Sequence, residues 1–157
     1  MTDLATTLMT GLLGLGTGIF ATLSLIEKPI WPMLRAPLTL QVGDDEVRKV
    51  HAILKRLIHL LPPTMMTTMG GVSLMMIILF MEQGASIRNM LVSLVFFSQL
   101  ILIVARLFED IRGVDMVDSD GDIGSVRNGL AALALLHHRG LLMTSSTLIL
   151  IWLFAAL

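Results

Sequence analysis

The chain has 157 residues, of which 55% are hydrophobic and 15% charged, and its 12 acidic residues nearly balance its 11 lysines and arginines. A mean hydropathy of +0.84 gives it more apolar surface than one soluble core can bury, so the composition predicts a membrane protein. The absence of cysteine excludes disulfides, thiolate metal sites and a catalytic thiol, and no basic run interleaved with aromatic residues points to a nucleic-acid partner.

Four segments are predicted to cross the bilayer, because a helix needs about 20 predominantly apolar residues to span the hydrocarbon core. The predicted spans cover residues 4–26, 60–81, 89–105 and 140–157. In the first span Gly14 and Gly18 have the GxxxG spacing at which helices approach closely. We expect these two glycines to pack within the bundle.

The connection between the first two spans contains a predicted amphipathic helix over residues 45–61. Its apolar side chains recur at alternating spacings of three and four, at Val47, Val50, Leu54, Leu57 and Leu61. A second helix is predicted to begin near Ser125 and to continue into the fourth span. Residues 1–157 are therefore predicted to form one all-α membrane domain, a polytopic bundle of four transmembrane helices with an amphipathic interfacial helix.

The basic residues predict the orientation of the bundle. Ten of the eleven lysines and arginines lie in the two connections 27–59 and 106–139, and Arg88 is the exception. Because connections rich in Lys and Arg stay on the cytoplasmic side, we expect both of these connections in the cytoplasm. The corresponding expectation is a bacterial inner-membrane protein with both termini in the periplasm.

All four histidines lie in those two connections, which places them at the same predicted membrane face. Together with two carboxylates they are candidate ligands for iron, another divalent metal or haem, because imidazole and carboxylate groups suit such centres. The candidate metal ligands are His51, His59, Glu109, Asp110, His137 and His138. The alternative interpretation is an interfacial belt whose polar side chains contact lipid headgroups.

Two stretches resemble a small four-helix membrane family that includes the anthrone oxygenases. They are "GLGTGIFATLSLIEKPIW" in the first span and "HHRG", which follows "RNGLAAL" and leads into the last span. The resemblance implies oxidation of a lipophilic aromatic anthrone by molecular oxygen. The positions that it carries over are Glu27, Pro29, Trp31, Asn128, His138 and Arg139.

A fainter resemblance connects "EVRKVHAILKRLIHLLPP" and "VARLFEDIRG" to the membrane-associated eicosanoid and glutathione metabolism family. It implies an enzyme similar to a membrane glutathione transferase. The Asn and Glu of that family's first-loop motif are absent from this chain. We therefore rank this interpretation third.

The favoured functional prediction is an oxidoreductase-like membrane protein that handles a lipophilic aromatic or quinone-like small molecule entering from the bilayer. The predicted catalytic residues are His138, Arg139, Glu27 and His51. An imidazole would take a phenolic or carbon-acid proton and an arginine would steady the oxyanion. Helix periodicity does not distinguish the two adjacent histidines, and the resemblance implies that His138 faces the bundle and His137 faces lipid headgroups. The alternative is a non-catalytic subunit or anchor of a larger complex, and a homo-oligomer is a further candidate assembly.

Overall fold

The computed structural model describes residues 2–156, with side chains from residue 4 onward. This part of the chain folds into five α-helices and one 3₁₀ helix, and it contains no strand. The elements are α1 (Thr2–Ile26), the 3₁₀ helix (Lys28–Leu34), α2 (Asp44–Leu57), α3 (Leu61–Gln83), α4 (Ile87–Asp115) and α5 (Ile123–Ala156). The prediction of an all-α bundle is confirmed.

Four of these helices, α1, α3, α4 and α5, are long and apolar enough to cross a membrane. Two extend well beyond their predicted spans, because α4 continues to Asp115 and α5 begins at Ile123. At 1.5 Å per residue α5 is roughly 50 Å long, against about 30 Å for the hydrocarbon core. The start of α5 confirms, within two residues, the helix predicted to begin near Ser125 and to continue into the fourth span. The extension of α4 past its predicted span was not predicted.

The α5 helix begins at a cap formed by Asp122. The Asp122 carboxylate accepts hydrogen bonds from the backbone N–H and the hydroxyl of Ser125, at 2.8 and 2.9 Å. These two bonds stabilise the charged carboxylate and hold the pKa of Asp122 below its ordinary value. The cap fixes the start of α5 in the polar connection, several turns before its long apolar segment.

The helices pack in an order that leaves one side of the bundle open. α1 packs against α3 and α5, and α4 packs along α5, whereas α3 and α4 touch each other at only a few positions. The order around the bundle is therefore α3, α1, α5 and α4. A gap remains between α3 and α4, although these two helices are consecutive in the chain.

Glycines set the closest helix contacts, but they are not the pair expected from the sequence. A side-chain carbon added at Gly129 of α5 would lie 2.5 Å from the carbonyl oxygen of Gly113 in α4. At Gly14 and Gly18 no atom of the other described residues, apart from the adjacent residues and backbone of α1 itself, lies within 4 Å of the corresponding position. The expectation that Gly14 and Gly18 pack within the bundle is wrong, because α1 turns that face outward.

We predict that Gly129→Ala destabilises the protein by about 1–3 kcal/mol, the range for overpacking a well-packed interior. The added methyl group would meet the backbone of Gly113, which cannot move away as a flexible side chain could. The matched control is Gly18→Ala, also in a helix, where the expected change is neutral or a gain of up to about 1 kcal/mol. Thermal unfolding in detergent measures both variants, and equal midpoints would contradict the glycine contact between α4 and α5.

The predicted amphipathic helix is present as α2, which lies across the end of the bundle where α4 and α5 extend. Its buried residues include Val47, Val50 and Leu54, as the apolar periodicity predicted. It ends at Leu57, so that Leu61 belongs instead to the first turn of α3. The helix therefore covers one end of the four-helix bundle.

Arg127 of α5 fixes the segment that leads into α2. Its guanidinium is almost fully buried and donates to the carbonyls of Thr39 and Val42, at 2.9 and 2.6 Å. It also forms an ion pair of 2.7 Å with Asp44 at the start of α2. A buried guanidinium requires such partners, since an unpaired buried charge is costly.

Candidate functional site

An apolar cavity of roughly 220 Å³ lies in the half of the bundle nearest α2. All five α-helices contribute to its lining, and Leu54 and Leu57 of α2 close its end. Ser73 and His137 are the two residues with polar side chains among those that line it. The Ser73 hydroxyl already donates to the carbonyl of Met69, at 2.9 Å. His137 is therefore the titratable group that this cavity presents to a ligand.

The cavity opens on the side where α3 and α4 separate. Met66 of α3 and Val104 of α4 both line it, and about half of the surface of each residue is exposed. A side chain that faces the cavity and the outside at once marks the rim of an opening. The cavity is therefore accessible from the side of the bundle.

His137 is paired with a fully buried carboxylate. The Nδ1–H of His137 donates to Oε1 of Glu27 over 2.5 Å, and the exposed fraction of the Glu27 side chain is 0%. The second carboxylate oxygen, Oε2, has no hydrogen-bond partner among the described residues. Because Nδ1 is engaged by Glu27, Nε2 is the ring nitrogen that is left to bind another group.

The local sequence explains how Glu27 reaches His137 across 110 positions of chain. Proline disfavours helical conformation in the residue before it and lacks a backbone N–H, so Pro29 helps to end α1 at Ile26. The chain turns at Glu27 into the 3₁₀ helix, whose Ile30 and Met33 are buried. That turn places the Glu27 carboxylate at the junction of α1 and α5.

His138 makes different contacts and does not line the cavity. Its Nδ1–H donates to the carbonyl of Ala134 at 2.8 Å, and its Nε2 accepts from the Ser24 hydroxyl at 3.2 Å. The Trp31 ring packs edge-on against it, with ring centroids 5.8 Å apart. The prediction that His137 faces lipid headgroups is wrong, because its ring pairs with Glu27 and lines the cavity. His138 packs against Ser24 of α1 and Trp31 of the 3₁₀ helix, so it faces the bundle as predicted but lies outside the cavity.

The sequence could not choose between the two histidines, since their spacings to the apolar positions of α5 are nearly symmetrical. Adjacent helix residues differ by about 100° in direction, which is enough to place one ring at the cavity and the other behind it. The neighbouring elements decide the outcome. No sequence signal marked Ser24, the partner of His138, or Ser73 in the cavity wall.

The other predicted residues lie apart from this pair. Arg139 is half-buried within electrostatic range of Asp110 and is not among the residues that line the cavity. Asn128 and Pro29 are exposed. The predicted role of Arg139 in steadying an oxyanion thus has no support from its position.

The six candidate metal ligands are distributed over separate contacts. His59 pairs with Asp115 over 3.4 Å, and Glu109 lies 3.7 Å from Arg106. Within residues 2–156 no three His, Asp or Glu side chains come together in a group that could hold a metal ion. The donor arrangement therefore does not fit the metal centre expected from the sequence.

His51 belongs to a row of polar contacts between α2 and the connection from α4 to α5. Lys55 donates to the carbonyl of Val117 at 2.7 Å. One turn earlier, His51 Nδ1 lies 2.8 Å from the hydroxyl oxygen of Ser119. Arg48 donates to the backbone carbonyl of Ser119. The helix and the connection run antiparallel, and these contacts hold α2 over the end of the cavity.

The imidazole of His51 is fully buried, and its Nε2 has no hydrogen bond of normal geometry within the part of the chain that the structure describes. Burial lowers the pKa of His51 below its ordinary value of 6.5, and the positive charge of Lys55 lowers it further. The backbone carbonyl of Val114 and the charge of Asp118 act in the opposite direction but are smaller effects. Burial therefore favours the neutral form of His51.

We predict that the protein loses stability as the pH falls below 6.5. Because the pKa of His51 is lower in the folded chain than in the unfolded chain, the unfolded chain binds more protons at acidic pH. The contribution of neutral His51 to the free energy of unfolding is fully present above pH 6.5 and is lost as the pH falls through the lowered pKa. Thermal unfolding in detergent at pH 5 and pH 7.5 measures it.

The matched variants are His51→Gln, which removes the titrating group, and His59→Gln, whose side chain is 74% exposed. We expect the loss of stability at pH 5 to shrink in the His51 variant and to stay in the His59 variant. The same pH dependence in wild type and His51→Gln would show that another group is responsible.

The predicted site is thus divided in the structure. Glu27 and His137 meet at the cavity, His138 lies behind them, and His51 holds α2 in place. No protein-family model, curated protein or solved structure matches this chain.

Proposed function

We propose that this integral membrane protein takes a lipophilic small molecule from the bilayer into its cavity and exchanges a proton with it at the Glu27–His137 pair. The observation that carries the proposal is the position of one titratable side chain, backed by a buried carboxylate, in the wall of an otherwise apolar cavity. Ligand sites are commonly apolar with a few polar groups that fix orientation. A ligand here would be mostly apolar with one polar end.

The opening between α3 and α4 supports entry from the lipid phase. Both helices are candidate membrane spans, and the rim residues Met66 and Val104 lie in them. A molecule dissolved in the hydrocarbon region would pass between these helices without crossing the polar connections. This route suits an aromatic or quinone-like compound better than a soluble metabolite.

The pair favours acid–base chemistry on such a ligand. With Nδ1–H donated to Glu27, the free Nε2 of His137 accepts a proton from a phenolic hydroxyl or an acidic C–H group. The buried carboxylate then stabilises the imidazolium that forms, as in other oriented histidine pairs. The resulting electron-rich anion is easier to oxidise than the neutral ligand.

The oxidoreductase step that we propose uses molecular oxygen as the oxidant, as the resemblance to the anthrone oxygenases implies. For a quinol, two electrons and two protons pass to oxygen, which gives the quinone and hydrogen peroxide. His137 carries the first proton in this scheme. No step requires the metal centre or haem expected from the sequence, whose ligands lie in separate contacts.

The proposal is tested with 4-nitro-1-naphthol, a lipophilic phenol whose absorption spectrum distinguishes its neutral and ionised forms. The protein in lipid nanodiscs should bind it saturably at one site and raise the ionised fraction above that in empty nanodiscs. Oxygen uptake with a lipophilic quinol tests the oxidation step. No saturable binding would overturn the proposal, and purification with a stoichiometric protein partner would favour the alternative of a non-catalytic subunit.

We also propose a bacterial inner-membrane location with both termini outside, from the ten basic residues in the two connections. The chain has no cysteine, so the variants Gln41→Cys and Ala85→Cys each carry one thiol. Both positions are exposed, and Gln41 lies in the connection that precedes α3 whereas Ala85 lies in the turn that follows it. We predict that a membrane-impermeant thiol reagent labels Ala85→Cys but not Gln41→Cys on intact spheroplasts; the reverse pattern would invert the topology.

A further inference from the structure

The aromatic ring of Phe20 rests on Gly140 where α1 crosses α5. A side-chain carbon added at Gly140 would overlap three carbons of the Phe20 ring, Cζ, Cε1 and Cε2. Both residues are buried. The absence of a side chain at residue 140 is therefore what allows the ring to occupy this position.

The same ring forms part of the cavity wall beside the titratable group. Phe20 and His137 both line the cavity, and their ring centroids lie 6.4 Å apart at an interplanar angle of 46°. The position of Phe20 therefore limits the space next to His137. A change at Gly140 would reach the cavity through this ring.

The direction in which the ring would move follows from the packing. Protein interiors are packed nearly as densely as organic crystals, so a displaced side chain moves toward unfilled volume. The unfilled volume beside Phe20 is the cavity of roughly 220 Å³. A methyl group at residue 140 would push the ring into the cavity, and the space beside His137 would shrink.

We propose that Gly140 is a specificity-determining residue, which sets through Phe20 the size of the ligand that can reach His137. This inference rests on the proposed function, since it assumes that the cavity binds a lipophilic molecule. Gly140 itself contacts no ligand in this arrangement. It keeps the Phe20 ring out of the cavity, so the wild-type protein admits a wider ring system than a variant with any side chain there.

The test compares a small and a large phenol in nanodiscs, 4-nitro-1-naphthol with two fused rings and 1-hydroxypyrene with four. We expect Gly140→Ala to weaken the binding of 1-hydroxypyrene by roughly tenfold or more, as overpacking costs in protein interiors suggest. Binding of 4-nitro-1-naphthol should change by less than about threefold. The control Gly11→Ala, at a glycine with no atom within 4 Å, should leave both affinities unchanged.

A second-site variant separates this role from general damage to the fold. Phe20→Leu in the Gly140→Ala background removes the ring that the methyl group displaces, so it should restore the binding of 1-hydroxypyrene. Phe20→Leu alone should increase that affinity in a protein with the native glycine. The affinity of Phe20→Leu alone for 1-hydroxypyrene can be measured even where Gly140→Ala fails to fold, and it tests whether the Phe20 ring limits the size of the ligand.

The outcomes distinguish the two proposals. Equal loss of both probes in Gly140→Ala without rescue, or no change of 1-hydroxypyrene affinity in Phe20→Leu, would overturn the specificity role and leave the proposed function standing. Failure of the wild-type protein to bind either phenol would overturn the proposed function itself. Size-selective loss with rescue by Phe20→Leu would support the inference.

Discussion

His137→Ala is expected to abolish the ionisation of a phenol bound in the cavity and to reduce any proton-transfer-dependent turnover by about 10²- to 10⁴-fold. The reason is that His137 supplies the imidazole of the cavity lining, and its loss leaves only apolar side chains and the Ser73 hydroxyl among the lining residues described. The measurement is the ionised fraction of 4-nitro-1-naphthol in nanodiscs at saturating protein. Binding itself should persist, because the apolar lining is retained.

Glu27→Gln tests the carboxylate separately. The amide oxygen can still accept the Nδ1–H of His137, so the ring keeps its orientation, but the negative charge that stabilises the imidazolium is gone. Hydrogen bonds to charged groups contribute about 1.5–3 kcal/mol. We therefore expect the equilibrium constant for proton transfer from the bound phenol to His137 to fall at least tenfold. In the proposed mechanism Glu27 acts through His137 and does not contact the ligand, so it is a positioning residue.

The matched control is His138→Ala, which removes an adjacent imidazole that hydrogen-bonds Ser24 and Ala134 and does not line the cavity. In this variant the ionised fraction of the bound phenol should stay within about twofold of the wild-type value. A twofold difference is well below the tenfold change that about 1.4 kcal/mol produces in an equilibrium constant. Loss of ionisation in His138→Ala with retention in His137→Ala would reverse the assignment of the two histidines. That result would support the prediction, made from the resemblance, that His138 is the catalytic histidine.

Leu74→Arg is expected to prevent stable insertion of the protein into the membrane. Leu74 lies near the middle of α3, and 54% of its surface is exposed. In water an exposed position tolerates arginine, but a lone charge at the centre of a bilayer costs about 2.5–3.5 kcal/mol even on the insertion scale. The amount of folded protein recovered from the membrane fraction measures the effect.

The control for this prediction is Leu40→Arg, at a residue 96% exposed in the segment between the 3₁₀ helix and α2. This segment lies outside the four candidate spans, so the same substitution should have little effect there. Recovery of Leu74→Arg at the level of Leu40→Arg would show that α3 does not face hydrocarbon. The pair therefore tests the environment of the helix independently of any ligand.

The protein is an open-sided bundle with an apolar exterior and a polar pair, Glu27 and His137, at its cavity. The cavity exists because α3 and α4 separate while α1 and α5 hold the rest of the bundle together. α2 closes the end of that space, and His51 helps to keep it there. A loss of α2 packing at low pH would therefore affect the cavity as well as stability.

The sequence by itself determined the helices of this protein. The four apolar segments and the spacing of Val47, Val50 and Leu54 were sufficient to predict a bundle of long helices with one amphipathic helix, because length and periodicity act within a single segment. The start of α5 was predicted near Ser125, and the Asp122 cap places it at Ile123. The end of α4 at Asp115 was not predicted, because hydropathy does not show how far a helix continues beyond its apolar part.

Only the tertiary structure decided which polar residues meet. Glu27 and His137 are 110 positions apart, and the rotation of α5 against α1 selects His137 over His138 for the cavity. The same rotation turns Gly14 and Gly18 outward and brings Gly140 under Phe20. These outcomes depend on how whole helices pack against each other. A sequence pattern within one helix specifies which residues share a face, but the neighbouring helices determine what that face contacts.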